Sequence, residues 1–264
     1  MIKVSHECPL CLMEKSRSFN DYDYALVHLF KDNPKYKQFF VDSLKMGRQV
    51  LLDNSVFELD EPFNPDKFVD AINDLAPTWY VVPDFLDNKD CTISSMENWI
   101  SDYLPKIKVD SKIIGSIQGK NLSDIVDCYK YMSEKPEVSK IAITFNSQAY
   151  DDGSKDVLNM WCSGRIKLIG YLVDNGIWNM NKPHHLLGAS LISEFSQPIY
   201  HKISIETLDT SNPVMCGVHG IRYGALGNKT KPKQKLCDIL NEPLTDRQLA
   251  DIDFNVWNFK NFSN

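Results

Sequence analysis

The sequence predicts a single-domain (β/α)8 barrel over residues 1–264, and three observations carry that prediction. First, four apolar runs end in a carboxylate or amide: Val50-Leu51-Leu52 at Asp53, Tyr80-Val81-Val82-Pro83 at Asp84, Ile113 to Ile117 at Gln118, and Ile203 to Leu208 at Asp209. Buried parallel strands read as continuous apolar runs, and the carboxyl ends of barrel strands open onto one mouth. Second, helix-length segments separate these runs, which implies right-handed βαβ units. Third, an open doubly wound sheet needs a Gly-rich phosphate-binding turn after its first strand, and Leu29-Phe30-Lys31-Asp32-Asn33 has no glycine.

Taken in order, Tyr24 to Leu29 reads as a strand and Pro34 to Met46 as a helix, with Tyr36, Phe39 and Phe40 at helical spacing and Gly47 as its stop. Strand Gln49 to Asp53 precedes a helix ending at Leu75, in which Asn64 caps and Pro65 takes the first helical position. Further strands are expected at Trp79 to Pro83, Lys112 to Ile117, Lys140 to Ile143, His185 to Leu187 and Lys202 to Ile205, with Gly220 to Tyr223 as a candidate eighth. Helices are expected at Thr92 to Tyr103, Leu122 to Met132, Val157 to Val173 and Ser190 to Phe195. Residues 243–264 carry Phe254, Trp257, Phe259 and Phe262 and read as a terminal helix packing an aromatic face on the barrel.

Composition bounds the function. With 43% hydrophobic and 24% charged residues, the chain belongs among ordinary globular proteins. No apolar run reaches the ~18 residues of a membrane span, and the amino terminus lacks a secretory apolar region, so no membrane partner and a cytoplasmic location are expected. Seven scattered cysteines fit reduced thiols. A net charge of −6 argues against a protein that coats nucleic acid nonspecifically. Lys229, Lys231, Lys233 and Lys235 alternate along a Pro-containing loop, which is either a solvated surface or a local backbone contact.

At the strand ends, each acid has two readings. Asp53 and Asp84 either cap the following turn through their side chains or serve a site. Gln118-Gly119 is either a turn or an edge that reads a flat heterocycle, and Asp209-Thr210-Ser211-Asn212-Pro213 is either a capped turn or the densest part of a site. Together Asp53 and Asp209 supply what glycosyl chemistry requires: one carboxylate as nucleophile or stabiliser of an oxocarbenium-like carbon, the other as acid and base.

From Tyr22 to Tyr223 the chain resembles the tRNA-guanine transglycosylase superfamily, and more closely its phage and bacterial members that insert 7-deazaguanine bases into DNA. Asp53-Asn54-Ser55-Val56-Phe57-Glu58 is similar to that family's Asp-Ser-Gly-Gly-Phe-Gln, and Gly115-Ser116-Ile117-Gln118-Gly119 to its Gly-Ile-Val-Gln-Gly. His184-His185-Leu186-Leu187-Gly188 resembles its Leu-Met-Gly segment, and Leu208-Asp209 the Phe-Asp of its nucleophile strand. The resemblance implies a pentosyltransferase in which Asp209 attacks C1′ and expels guanine, and Asp53 serves as acid and base. Asp84, Gln118 and Gly188 would bond the purine-like base, with Gly119, Asn54 and Phe57 among the substrate contacts. The partners it implies are DNA, favoured over tRNA, and a 7-deazaguanine such as preQ0, in the host cytoplasm if the gene is carried by a phage. Arg222, Lys229, Lys231, Lys233 and Lys235 then become candidate backbone contacts.

Departures from the family pattern sharpen the expectation. Ser55 and Val56 replace two glycines, implying a stiffer loop and a differently shaped pocket, and Glu58 replaces Gln, which bears on base selection. The three closely spaced cysteines of the tRNA-acting members are absent, which argues for DNA. Cys8, Cys11, Cys216 and His219 form an acceptable tetrahedral zinc set, weighed against reduced cysteines and a packed histidine, and no cofactor is assigned. Two other classes stay open: a hydrolytic N-glycosidase on nucleosides or nucleic acid, and an inactive barrel that binds nucleic acid or a host protein.

Overall fold

A computed structural model of the chain describes residues 2–224, 227, 228, 232 and 234–262, apart from the side chains of His201 and Phe262. Its strands are β1 Lys3–His6, β2 Asp23–Leu26, β3 Val50–Asp53, β4 Trp79–Val81, β5 Lys112–Ile117, β6 Val138–Thr144, β7 His184–Leu187 and β8 Ile205–Thr210. They form one sheet in the order β1-β8-β7-β6-β5-β4-β3-β2, every neighbouring pair parallel, which makes a nearly closed (β/α)8 barrel. Among the described residues no strand ladder joins β1 to β2. The seam is laced by a backbone bond, Asp21 N to the Val4 carbonyl at 2.9 Å, and by side chains: Asn20 Oδ1 accepts from His6 N at 2.8 Å, and Asp21 Oδ2 from Val4 N at 2.9 Å.

The interleaved helices are α1 Met13–Ser16, α2 Pro34–Lys45, α3 Val56–Leu59, α4 Pro65–Leu75, α5 Lys89–Asn98, α6 Leu122–Glu134, α7 Val157–Asp174, α8 Asn212–Val218, α9 Leu236–Ile239 and α10 Asp246–Phe262. Four of the longer ones, α4, α5, α6 and α7, begin on Asx caps. Asn64, Asn88, Asn121 and Asp156 each accept a backbone N–H of the first turn, which satisfies a donor that the helix leaves without a partner. At Gly115, where α6 meets β5, a Cβ would lie 2.8 Å from Met132 Sδ, so any larger residue there requires that methionine to shift.

Several expected boundaries move, each for a physical reason. The eighth strand is not Gly220 to Tyr223 but β1 at the amino terminus, whose Lys-Val-Ser-His sequence lacks an apolar run and which pairs with β8, Ser5 opposite Asp209. The strand expected from Lys202 begins only at Ile205, since the 3-10 turn Pro198–His201 runs up to Lys202. The helix expected over Ser190 to Phe195 is a single 3-10 turn, Ile192–Glu194. The Thr92 helix starts earlier, on the Asn88 cap, and its last residues, Trp99–Tyr103, wind as a π turn.

The terminal helix α10 lies on α8 through Ile252 and Val256, and Phe259, buried at the same helical spacing, meets Phe195 and His6, while Trp257 is exposed. Its buried seam is therefore more aliphatic than the sequence suggests. The Phe262 side chain lies outside the described residues.

Candidate active site

The barrel mouth holds a cavity of about 690 Å3 at the carboxyl ends of the strands. Asp53, Gln118, Thr144, Gly188 and Asp209 line it from β3, β5, β6, β7 and β8. Glu7, just beyond β1, and Glu58, on α3, add two more carboxylates. Leu86, Phe145, Leu158 and Trp161 supply an apolar wall, with Phe145 and Trp161 edge to face at 5.8 Å.

Asp209 is buried at the end of β8, and its Oδ1 accepts the Gly188 backbone N–H at 2.9 Å. His185 Nε2 lies 3.1 Å from the same oxygen, although its N–H is misaligned, so the two are in contact without a closed hydrogen bond. Gly188 has φ +74°, a left-handed conformation that glycine adopts without strain, and its carbonyl accepts from Arg165 Nη1 at 2.7 Å. Arg165 is itself fully buried in a two-pronged pair with Glu194, both contacts at 2.8 Å.

Asp53 performs the turn role and faces the cavity at once. Its Oδ2 accepts Ser55 N at 2.7 Å, and Ser55 takes φ +61°, the left-handed region that its glycine counterpart in the resembling motif would enter easily. Burial pushes the Asp53 carboxyl well above the usual range; the charge of Glu58 adds to this and the Ser55 N–H opposes it. Burial, and then the charge of Glu7, raise Glu58 to about 7.

Asp84 lies outside the cavity lining. It is buried with Oδ1 accepting from Asn54 Nδ2 at 2.8 Å and Oδ2 from Gln118 Nε2 at 2.6 Å. Gln118 Oε1 in turn accepts from Asp87 N at 3.1 Å. The amides of Asn54 and Gln118 are thus engaged within the protein, and of the two only Gln118 reaches the cavity wall. Gly119 packs on the start of α6, where a Cβ would lie 2.7 Å from Ile125 N, and it does not line the cavity.

At the rim, Phe57 is 46% exposed, and Lys235 closes over it. Lys235 Nζ donates to the Glu58 carbonyl at 3.0 Å and stands 5.7 Å from the Phe57 ring centre. Arg222 lies elsewhere, its guanidinium 4.0 Å above the Phe254 ring of α10. Lys229, Lys231 and Lys233 lie outside the described residues.

Cys8, Cys11, Cys216 and His219 do not come together as a metal site. Among the described residues no group of three or more His, Cys, Asp or Glu could hold an ion. The three thiols donate to separate acceptors: the His6 carbonyl, the Glu242 carbonyl and Asn212 Oδ1. None of the seven cysteines forms a disulfide, and no helix among the described residues is long and apolar enough to cross a membrane.

Sequence reasoning did not single out Glu7, Tyr24, Thr144, Lys155 or Trp161, all of which line the cavity. Glu7 was findable once Lys3–His6 was recognised as a strand, because it follows that strand's carboxyl end. Lys155, just before α7, and Trp161, on it, carry no such signal. No protein-family model matches the chain, and no curated protein sequence matches it.

Proposed function

We propose that the barrel exchanges guanine in a polynucleotide, DNA in preference to tRNA, for a 7-deazaguanine base through a covalent glycosyl-Asp209 intermediate. The observation that carries this reading is the placement of Asp53 and Asp209 on one cavity of about 690 Å3, a size suited to a nucleoside. Asp209 attacks C1′ as the bond to guanine breaks, and Asp53, held protonated by its burial, delivers a proton to the departing heterocycle. The incoming base then displaces Asp209 from C1′ and returns a proton to Asp53, so that configuration at the sugar is retained. The apolar wall of Leu86, Phe145 and Trp161 suits a heterocycle face, and a target within a duplex must be extruded to reach it.

A second reading, hydrolysis of small nucleosides, draws on one feature of the mouth. Five carboxylates, Glu7, Asp53, Glu58, Asp156 and Asp209, line the cavity, whereas its described cationic lining is Lys155 and Lys235. That balance disfavours a polyanion.

The deciding experiment incubates the protein with guanine-labelled DNA or tRNA, with and without preQ0, beside Asp209→Asn. Label released only with preQ0, and not by the variant, supports exchange and identifies the polymer. Release without an incoming base supports hydrolysis; no release from either polymer contradicts exchange, and no release of guanine from free guanosine or deoxyguanosine in a parallel incubation contradicts hydrolysis as well.

A further inference from the structure

Behind Asp209 the barrel interior carries a buried polar column that the glycosyl-transfer reading leaves unused. Lys140 on β6, Thr207 on β8 and His185 on β7 are each 1% exposed or less. Lys140 Nζ donates to Thr207 Oγ1 at 3.2 Å, Thr207 Oγ1 lies 3.0 Å from His185 Nδ1, and His185 Nε2 lies 3.1 Å from Asp209 Oδ1. A bulge makes the column possible. Between His184 and His185 the β7 partners jump from Ile205 to Thr207, leaving Glu206 unmatched, and Glu206 Oε2 meets Lys140 Nζ at 3.2 Å. The ammonium is thus charge-paired within the barrel wall while it bonds the threonine. Tyr24 stacks on the imidazole at 6.4 Å and 21°, which fixes the ring plane.

Hydrogen accounting and the Asp209 contact together favour one arrangement of protons, since the alternative, with Thr207 Oγ1 accepting from both Lys140 and His185, leaves Nε2 without a hydrogen beside a carboxylate. Lys140 has only donors, so Thr207 Oγ1 accepts from it and has its own proton to give to His185 Nδ1. A neutral ring that accepts at Nδ1 carries its hydrogen on Nε2, the nitrogen beside Asp209. The opposite tautomer would set the Nε2 lone pair against the lone pairs of Oδ1 at 3.1 Å.

We propose that His185 is the positioning residue of Asp209: the Lys140–Thr207 pair holds its ring in the tautomer protonated at Nε2, and that N–H, with the Gly188 N–H, occupies Oδ1 and reserves Oδ2 for attack on the sugar. The kinetic part rests on the glycosyl-transfer reading; the tautomer and its contact with Asp209 do not. Reserving Oδ2 in this way requires that the misaligned N–H turn onto Oδ1 in the complex with substrate, where catalytic hydrogen bonds tighten.

Two measurements on the full chain test this separately. Nitrogen-15 NMR of the histidine rings, assigned with His185→Gln, is expected to show the Nε2–H tautomer, with its signal shifted in Asp209→Asn and the tautomer preference lost in Thr207→Val. A ring protonated at Nδ1, charged at neutral pH, or insensitive to Asp209→Asn would overturn the proposal. In the exchange assay, Thr207→Val is expected to lower kcat by roughly 10- to 100-fold at unchanged KM, with Thr207→Ser restoring it. A Thr207→Val enzyme with unchanged kcat, or a Thr207→Ser enzyme as slow as it, would overturn the positioning role. A wild-type protein with no exchange activity but with the expected tautomer and Asp209 response would count against the glycosyl-transfer reading while supporting the His185–Asp209 contact.

Discussion

The backbone N–H of Gly188 donates to Oδ1 of Asp209 over 2.9 Å, and the carbonyl of the same glycine accepts from Arg165 over 2.7 Å. The carboxylate at the end of β8 is thus tied, through one residue, to a guanidinium on α7 that is fully buried against Glu194. Its position is set from the end of β8 and by a residue just past β7 that α7 anchors.

Arg165→Met is expected to destabilise the fold by about 3–5 kcal/mol, because it strands the Glu194 carboxylate in an interior where only the Tyr200 hydroxyl remains to it. The double variant Arg165→Met/Glu194→Met should recover a substantial part of that loss. Urea denaturation of the three proteins measures both effects, and a double variant no better than Arg165→Met would contradict the account of the pair.

Stability around Glu58 should depend on pH with a definite sign. Its carboxyl is raised to about 7 by burial and by Glu7, whereas in the unfolded chain it titrates near ~4.3. A carboxyl raised in the folded state contributes stability that is complete below the unfolded value and lost as pH rises toward and through the folded one. Relative to wild type, Glu58→Gln should therefore gain stability from pH 5 to 7 and level off above that, by on the order of 1 kcal/mol or ~2–4 °C in Tm. The substitution also removes a charge that raises Asp53, so the alkaline limb of the exchange rate, where Asp53 loses its proton, should move to lower pH. Thermal melts at several pH values and a pH–rate profile read the two effects.

Asp84 serves the fold more directly than the substrate. Asp84→Ala removes the acceptor of Asn54 Nδ2 and Gln118 Nε2, each buried, and is expected to cost about 1–3 kcal/mol for each donor left without that partner. Chemical denaturation checks this. A variant of wild-type stability whose KM for the base alone rises would return Asp84 to the role of base contact.

Lys235 is held by the chain itself, its ammonium on the Glu58 and Phe57 carbonyls. Lys235→Met should therefore leave the salt dependence of DNA binding unchanged. A phosphate contact would instead lower the slope of log K against log salt by ~0.9. Titrations at several salt concentrations distinguish the two.

The parallel barrel was legible because β3, β4 and β5 are mostly apolar runs, and helix-length segments, α4 on its Asn64 cap among them, separate them. β1 was not, since a strand of four residues with polar side chains facing the barrel interior has no apolar run to read. The meeting of Asp53 and Asp209 followed from their place at strand ends. The retreat of Asp84, Asn54 and Gln118 into a network of their own did not, because an amide or carboxylate in sequence carries no mark of which partner will engage it. Nor could spacing alone set Lys140, Thr207 and His185 in a line, since the bulge at Glu206 that aligns them is a property of the paired strands.

The most direct test of the central claim is intact-mass spectrometry of the protein quenched in acid after mixing with guanine-containing DNA. Glycosyl transfer through Asp209 predicts a protein–DNA adduct that maps to Asp209, is discharged by preQ0 and is absent from Asp209→Asn. Release of guanine with no adduct, or an adduct that persists in Asp209→Asn, would contradict it.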